Sequence, residues 1–372
     1  MIASDSALAE LIPQLQMVDR VAVDTEADSL HCYFEKLCLV QLSFDGKDFL
    51  VDPLGNFDLA PLGAALTGKE IVLQGADFDL RLLRRAMSFT ATKVFDTVIA
   101  ARLLGLRAFS LAALVEQYFG VKLTKGSQKA NWARRPLPQQ MADYAINDTH
   151  YLLPLAEMMA KELRAKDRYE WFEQSCARVL AQAAIERVRD EDEAWRISGA
   201  GTLSGRASAV LRALWQWRDR EAQAADRPSF HILQNHLLVQ AALDFEAGKR
   251  PEFRHLSPRR RRGFLDAADH ALRLPESEWP SRRPRRVGVR PTQSMEKAAE
   301  DLRKRRDAAA EKLGLEPSFI AARAAVESIA IDRTRSETLL APWQRDLLQL
   351  RSGDTAVAED LDNGDKSVAF PV

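Results

Sequence analysis

The sequence predicts an α/β domain over residues 1–175, followed by helical domains without strands. In the first part, short apolar and β-branched runs alternate with segments of helical periodicity, the pattern of an α/β domain. The length of 372 residues is enough for two or three domains, and the hydrophobic content of 46% is enough for packed cores. The predicted strands are 20–26, 37–44, 47–52, 70–74 and 93–96. The predicted helices are 5–16, 79–87, 97–104, 110–118 and 139–163.

The strand pattern ends near residue 177, and the rest of the chain is predicted to be helical. We expect a helical connector over 176–202, a helical domain over 203–281 and a second, more divergent one over 292–352. Residues 281–291 are rich in arginine and proline, which is typical of a linker. The last residues, 353–372, combine aspartate and glycine and are expected to be a mostly disordered acidic tail.

Composition and charge argue against several classes of protein. No apolar run approaches the roughly 20 residues needed to span a membrane, and the N-terminus shows no secretory signal pattern. The three cysteines have no metal-type spacing and are expected to be buried thiols of a cytoplasmic protein. The net charge of zero argues against general polyanion binding. Two arginine blocks, 259–262 and 282–286, are either phosphate contacts or solvated helix ends and linker.

Four carboxylates and one tyrosine occupy three short segments with directed local geometry. Asp24 and Glu26 are two residues apart on the first strand, so their side chains share one face. Asp79 lies near the start of a helix, and Tyr144 and Asp148 are four apart on another helix, which puts them on one face. Four clustered carboxylates do not stay ionised together without cations. A pair of hard divalent cations both satisfies them and offers a mechanism for cutting phosphodiesters.

Each segment alone has an ordinary structural explanation. An isolated Asp-x-Glu is common on exposed strands, and an isolated Tyr-x-x-x-Asp on a helix is usually a surface pair. The three segments together, each in the required secondary structure, favour the catalytic interpretation. Acids at the end of the apolar run 21–23 support it, because an unpaired buried charge is costly.

The three segments resemble the exonuclease motifs of the DEDD superfamily, 3′–5′ exonucleases with a ribonuclease H-like fold, in which helices flank a mixed sheet. Tyr144, in place of a histidine, resembles the tyrosine subclass. More closely, the chain resembles the bacterial ribonuclease D family, through the segments 24–26, 36–42, 96–97, 131–137 and 144–154. The chain departs from that pattern at Gln74, where histidine or asparagine is more usual, and at Asn131, where aspartate is common.

The helical part contains a weak internal repeat. The segment 217–222 precedes a Pro-Ser-Phe sequence at 228–230, and the similar segment 305–310 precedes a second Pro-Ser-Phe at 317–319. The first copy resembles the HRDC domain, a small helical nucleic-acid-binding module found in ribonuclease D and some helicases. The second copy is more divergent.

The resemblance implies a catalytic site that uses two divalent cations, Mg²⁺ or Mn²⁺. Asp24 would hold both ions, Glu26 and Asp148 the one that activates water, and Asp79 the other. Tyr144 would orient the attacking water. The product would be a nucleoside 5′-monophosphate released from the 3′ end. Asp96 is expected to cap the helix that follows it.

Residues beside the acids, and others in the loop before the last motif, are predicted to contact RNA. The predicted contacts are Thr25, Gln74, Phe78, Lys125, Gln128 and Trp132. Phe78 is a candidate for stacking on a base, and its alternative interpretation is a core aromatic.

We therefore expect a monomeric, cytoplasmic 3′–5′ exoribonuclease that trims RNA, such as tRNA precursors with 3′ extensions. A DNA-directed exonuclease is an alternative, since the same acids serve both sugars and only contacts to the 2′-hydroxyl decide. A catalytically silent RNA-binding protein is a further alternative. The retention of all four carboxylates and the tyrosine argues against it.

Overall fold

A computed structural model of the protein describes residues 1–123, 126, 130–185, 190–203, 205–281 and 291–350. Within these ranges, helices flank a five-stranded sheet, and two helical units follow. Lys125, Gln128, most of the arginine-rich linker and the predicted tail lie outside the described residues. None of the helices in the described ranges combines the length and the apolar character needed to cross a membrane.

The five strands lie within one residue of their predicted bounds. Their order across the sheet is β3-β2-β1-β4-β5, with β1 antiparallel to β2 and parallel to β4. All eight residues of β2 are buried, as expected for a strand covered on both faces. The central position of β1 brings its acids to the middle of the sheet. The strands are β1 (Arg20–Ala27), β2 (Leu37–Phe44), β3 (Lys47–Val51), β4 (Glu70–Leu73) and β5 (Lys93–Asp96).

In the described part of the chain, eight α-helices pack around the sheet, and the helix predicted over 139–163 is divided into two. The first of the two ends at His150 and the second begins at Leu152. Pro154 has no N–H to donate to the carbonyl of His150, so the helical hydrogen-bond ladder is interrupted there. The helices are α1 (Asp5–Gln16), α2 (Ala60–Leu66), α3 (Asp77–Met87), α4 (Thr97–Leu104), α5 (Leu111–Phe119), α6 (Gln139–His150), α7 (Leu152–Ala165) and α8 (Tyr169–Ala183).

Among its described residues, the connector predicted to be helical over 176–202 is α-helical only in its first part, and Ala200–Thr202 form a 3-10 turn. Helix α8 ends at Ala183, and residues 190–199 form turns and irregular structure. The acidic run 190–193 offers no apolar stripe with which a helix could pack on the protein. Trp195, which is buried, attaches this segment to the core of the first helical unit.

The first helical unit has a core of its own, whereas the second shares the core of the sheet domain. In the first unit, the ring of Trp217 lies 5.3 Å from that of Phe264. In the second, Trp343 stacks on Trp171 of α8 at 5.2 Å. The first unit comprises α9 (Gly205–Ala224), α10 (Ser229–Ile232), α11 (Asn235–Glu246) and α12 (Pro258–Leu272). The second comprises α13 (Gln293–Leu313), α14 (Pro317–Ile320), α15 (Arg323–Ile331), α16 (Ser336–Leu339) and α17 (Pro342–Leu347).

Each of the two helical units contains an equivalent hydrogen bond, as expected for the predicted repeat. In the first, Arg218 donates to the carbonyl of Leu233 at 2.8 Å, and in the second Arg306 donates to that of Ala321 at 3.3 Å. Each bond joins a long helix to the residue that follows a four-residue helix. The Pro-Ser-Phe sequences of the two units differ by one residue in their position relative to the short helix. Helix α10 begins at the serine of this sequence, and α14 begins at the proline.

Candidate active site

Strand β1 presents Asp24 and Glu26 on one face near its carboxyl end. Its pairing with β2 shifts between Glu26 and Ala27, and such irregularities bend a strand and redirect its side chains. The acid of α6, Asp148, completes the group. One carboxylate oxygen from each of the three acids lies within 4.8 Å of the others. The structure therefore brings together acids from the first and last predicted motifs.

Asp79 lies in the first turn of α3 and is held by two neighbouring segments. Thr25 on β1 donates a 2.5 Å hydrogen bond from its hydroxyl to Asp79. The turn before α3 is held by the carboxylate of Asp96, which accepts from the N–H groups of Gly75 at 3.1 Å and Ala76 at 2.8 Å. Gly75 has a φ of +84°, where a residue with a side chain is strained. Asp96 also caps α4, as predicted.

Helix α6 places Tyr144 one turn before Asp148, and the phenol donates a hydrogen bond to the carboxylate. The ring of Trp132 lies 6.1 Å from that of Tyr144 and supports it. At the other end of α6, the ring nitrogen Nδ1 of His150 lies 2.8 Å from the carboxylate of Asp48 on β3. These contacts orient the helix face that carries the tyrosine and the aspartate.

Arg135 fastens the loop before α6 and is a positioning residue that the sequence reasoning missed. Its guanidinium donates to both carboxylate oxygens of Asp52 at 2.6 Å, and to the carbonyls of Cys38 at 2.7 Å and Trp132 at 2.8 Å. The first two partners are 83 and 97 residues away in the chain. No local pattern indicates such a contact, and only the Arg-Pro sequence before a helix marked the position.

Burial raises the pKa values of all four carboxyl groups, and the charges of neighbouring acids add to this effect. Burial is the largest cause for each. The pKa of Asp24 is raised well above its ordinary value, that of Glu26 to about 9, that of Asp148 to about 7 and that of Asp79 to about 6. Cations therefore stabilise the fully ionised site. A donor set made only of carboxylate oxygens suits a hard divalent cation such as Mg²⁺ or Mn²⁺.

Two of the predicted RNA contacts lie directly beside the acids. Phe78 is 43% exposed and precedes Asp79, so its ring is available for stacking and is not a core aromatic. Thr25 is buried, and its hydroxyl is used by Asp79. The side chain of Thr25 thus orients an acid.

Two other predicted contacts are used within the protein, and the geometry does not favour them as RNA contacts. Gln74 donates from its amide to the carbonyl of Phe109 at 2.8 Å and accepts from the hydroxyl of Thr97. Trp132 is 1% exposed, so in this conformation its ring supports Tyr144 and does not face a substrate. Sequence reasoning missed this because the segment between Phe119 and Gln139 carries no periodic pattern from which burial follows.

Two family profiles match the chain. The family described as "3′-5′ exonuclease" matches residues 1–164, which include the whole sheet and the five candidate catalytic residues. The family described as "HRDC domain" matches residues 207–245, which cover α10 and most of α9 and α11.

Solved structures and characterised relatives agree with these profiles. Ribonuclease D of Sphingobium indicum is 32% identical over 78% of this chain and 77% of that protein. Ribonuclease D of Zymomonas mobilis is 32% identical over 65% of this chain, and the match spans 63% of that relative. The crystal structure of Escherichia coli RNase D, described as an exoribonuclease involved in structured RNA processing, is 25% identical, with a TM-score of 0.70 over 94% of this chain and 98% of that one. The chain therefore belongs to the ribonuclease D family of 3′–5′ exoribonucleases.

Proposed function

We propose that the protein removes nucleoside 5′-monophosphates one at a time from RNA 3′ ends, with two divalent cations held by its four acids. The observation that carries this proposal is the convergence of Asp24, Glu26 and Asp148 within 4.8 Å, from a strand and a distant helix. Asp79 lies against the same strand through Thr25. When bound, a pair of cations stabilises the charge on the attacking and leaving oxygens of an in-line displacement.

The charged groups near each acid suggest which cation that acid would hold. Asp24 is repelled by the other three carboxylates, so it is the acid placed to hold both cations. Glu26 and Asp148 would hold the first cation together with Asp24. Asp79 would hold the second, on the side of the departing 3′ oxygen, and Thr25 keeps its carboxylate oriented.

Tyr144 would position the attacking water. Its hydroxyl already donates to Asp148, so it lies at the edge of the acid cluster, and the buried ring of Trp132 fixes its direction. A hydroxyl so placed orients a water by hydrogen bonding without itself taking a proton. Orientation of a reactant is a substantial part of catalysis, because it avoids an entropic cost during the reaction.

RNA with a short single-stranded 3′ extension, such as a tRNA precursor, is the substrate that we propose. The exposed ring of Phe78 lies next to the acid Asp79 and is available to stack on a base near the 3′ end. The HRDC match supports a nucleic acid as the partner. We further propose a monomer in the cytoplasm, for which three free, buried cysteines are suitable.

A comparison of two labelled substrates tests the proposal. A tRNA with a 3′ extension and a single-stranded DNA of similar length, both labelled at the 5′ end, are incubated with Mg²⁺ or Mn²⁺. A ladder that shortens from the 3′ end of the RNA, and is absent with Asp24→Asn, is the expected result. Shortening of the DNA alone would favour a DNA-directed enzyme. No cation-dependent shortening of either would refute the proposed chemistry.

A further inference from the structure

Gln41 lies in the middle of the apolar strand β2 and is fully buried. Among the described residues, neither the nitrogen nor the oxygen of its side-chain amide has a hydrogen-bond partner. A buried amide without a partner destabilises a protein relative to an apolar residue of the same shape. The presence of this amide therefore calls for an explanation other than packing.

The pairing of the strands places Gln41 directly beside a catalytic acid. Gln41 is opposite Asp24 on β1 and opposite Leu50 on β3, so these three side chains form a row on one face of the sheet. Side chains directly opposite each other on antiparallel strands have Cβ atoms about 4.5–5.5 Å apart. The amide is thus flanked by a carboxylate on one side and by an aliphatic side chain on the other.

The neighbours of Gln41 along its own strand do not offer it a partner. Leu39, two residues before it on the same face, packs in an apolar cluster with Trp132. Ser43, two residues after it, bonds instead to Asp48 at 2.5 Å and to Thr149 at 2.7 Å. Asp24 is therefore the polar group in this part of the sheet that the amide is best placed to meet.

We propose that Gln41 is a positioning residue that donates an amide hydrogen bond to the carboxylate of Asp24 and holds it in the orientation that binds the cations. This inference rests on the proposed cation site. A carboxylate that carries its full charge is a stronger acceptor than a neutral group, so the bond is favoured when the site is loaded. Rotation about the side-chain torsions of glutamine brings the amide toward its neighbour without movement of the strand.

The chemistry of glutamine suits this role better than that of the alternatives. A lysine at position 41 would bring a positive charge that competes with the cations, and a glutamate would add a fifth negative charge. Glutamine provides a donor and leaves the charge of the site unchanged. Groups that support the ligands of a metal site commonly change its affinity by about 10- to 100-fold when they are replaced.

The test replaces Gln41 with methionine, which has a similar length and packs without polar atoms. We expect the variant, with cations removed, to unfold at the wild-type temperature or above it. In a calorimetric titration, we expect its dissociation constant for Mn²⁺ to rise about 10- to 100-fold. We also expect kcat to fall at limiting Mn²⁺, while KM for RNA stays unchanged.

Gln174→Met is the matched control, because the amide of Gln174 accepts from the backbone N–H of Trp343 at 2.8 Å and lies on α8, which carries none of the four acids. It is expected to lower the unfolding temperature and to leave Mn²⁺ binding unchanged. Wild-type Mn²⁺ affinity in Gln41→Met would overturn the inference, as would a fall in its cation-free unfolding temperature like that of the control. If the methionine variant does not fold, Gln41→Leu is judged by the same two measurements. Absence of Mn²⁺ binding by the wild-type protein would refute the cation site itself, and this inference with it.

Discussion

In the absence of divalent cations, the free energy of unfolding of the protein is expected to decrease as the pH rises from 5 to 8. Burial and the charge of neighbouring acids raise the pKa of Glu26 from 4.5 to about 9. Between these values, the folded protein holds a proton that the unfolded chain has released. The free energy of unfolding therefore decreases with rising pH, which is opposite to the usual behaviour of a paired carboxylate.

The size of this effect follows from the width of the pH interval. At about 1.4 kcal/mol per pH unit, the interval from pH 5 to 8 gives an upper bound of about 4 kcal/mol for Glu26 alone. Its partial exposure to solvent reduces this value. At about 2–4 °C per kcal/mol for a domain of this size, the unfolding temperature falls by at most roughly 16 °C.

The assay is thermal unfolding followed by circular dichroism between pH 5 and 8, in EDTA and in Mg²⁺. In Mg²⁺, the cations keep the acids ionised and the downward slope is expected to disappear. Glu26→Gln is the control, since it removes the titrating group and should unfold in EDTA with a flatter pH dependence. An unfolding temperature that is flat or rises with pH for the wild-type protein in EDTA would refute the reasoning.

Three substitutions test other parts of the structure. Arg135→Lys keeps the charge but loses the two-bond contact with Asp52, so we expect a loss of about 1–3 kcal/mol in a denaturant titration and a lower single-turnover rate. Tyr144→Phe is expected to keep Mn²⁺ affinity in a calorimetric titration and to slow single-turnover cleavage about 10²-fold or more, because it loses the hydroxyl that orients water. Trp343→Ala removes the ring that stacks on Trp171, so we expect a loss of about 3–5 kcal/mol by thermal unfolding.

Each of these predictions has a result that contradicts it. Unchanged stability of the Arg135 variant would mean that the loop before α6 is held by other contacts. Loss of Mn²⁺ binding in the Tyr144 variant would make the phenol part of the cation site. A Trp343 variant as stable as the wild-type protein would show that the second helical unit does not share a core with the sheet domain. Phe78→Tyr, at an exposed position outside these contacts, serves as the stability control for the Arg135 and Trp343 variants.

The sheet and the positions of the acids are largely predictable from the sequence. The apolar run that ends at Asp24, and the alternation that puts Glu26 on the same face, depend only on the two-residue period of a strand. Tyr144 and Asp148 share a helix face for the equally local reason of helical periodicity. The interruption of the helix predicted over 139–163 also has a local cause, because Pro154 cannot donate a backbone hydrogen bond.

The surroundings of a side chain were not predictable where they come from distant segments. Trp132, predicted to contact RNA, is buried against Tyr144, and the amide of Gln74 is held by Phe109. In each case the residue type was compatible with either a binding or a packing role. Burial depends on which segments cover a residue, and a local pattern does not contain that information. The connector after α8 was overextended for a similar reason, since its acidic run has no apolar face to pack.

By itself, the sequence determined the elements, the family resemblance and the direction of each acid relative to its own strand or helix, because periodicity and side-chain direction are local properties of the backbone. Only the tertiary structure decided how those elements support the site. It brought Arg135 to Asp52 and Cys38, and it set Gln41 beside Asp24 in a particular register. It also joined the second helical unit, but not the first, to the core of the sheet domain. These contacts depend on long-range packing, in which each partner is chosen by the folded shape of the rest of the chain.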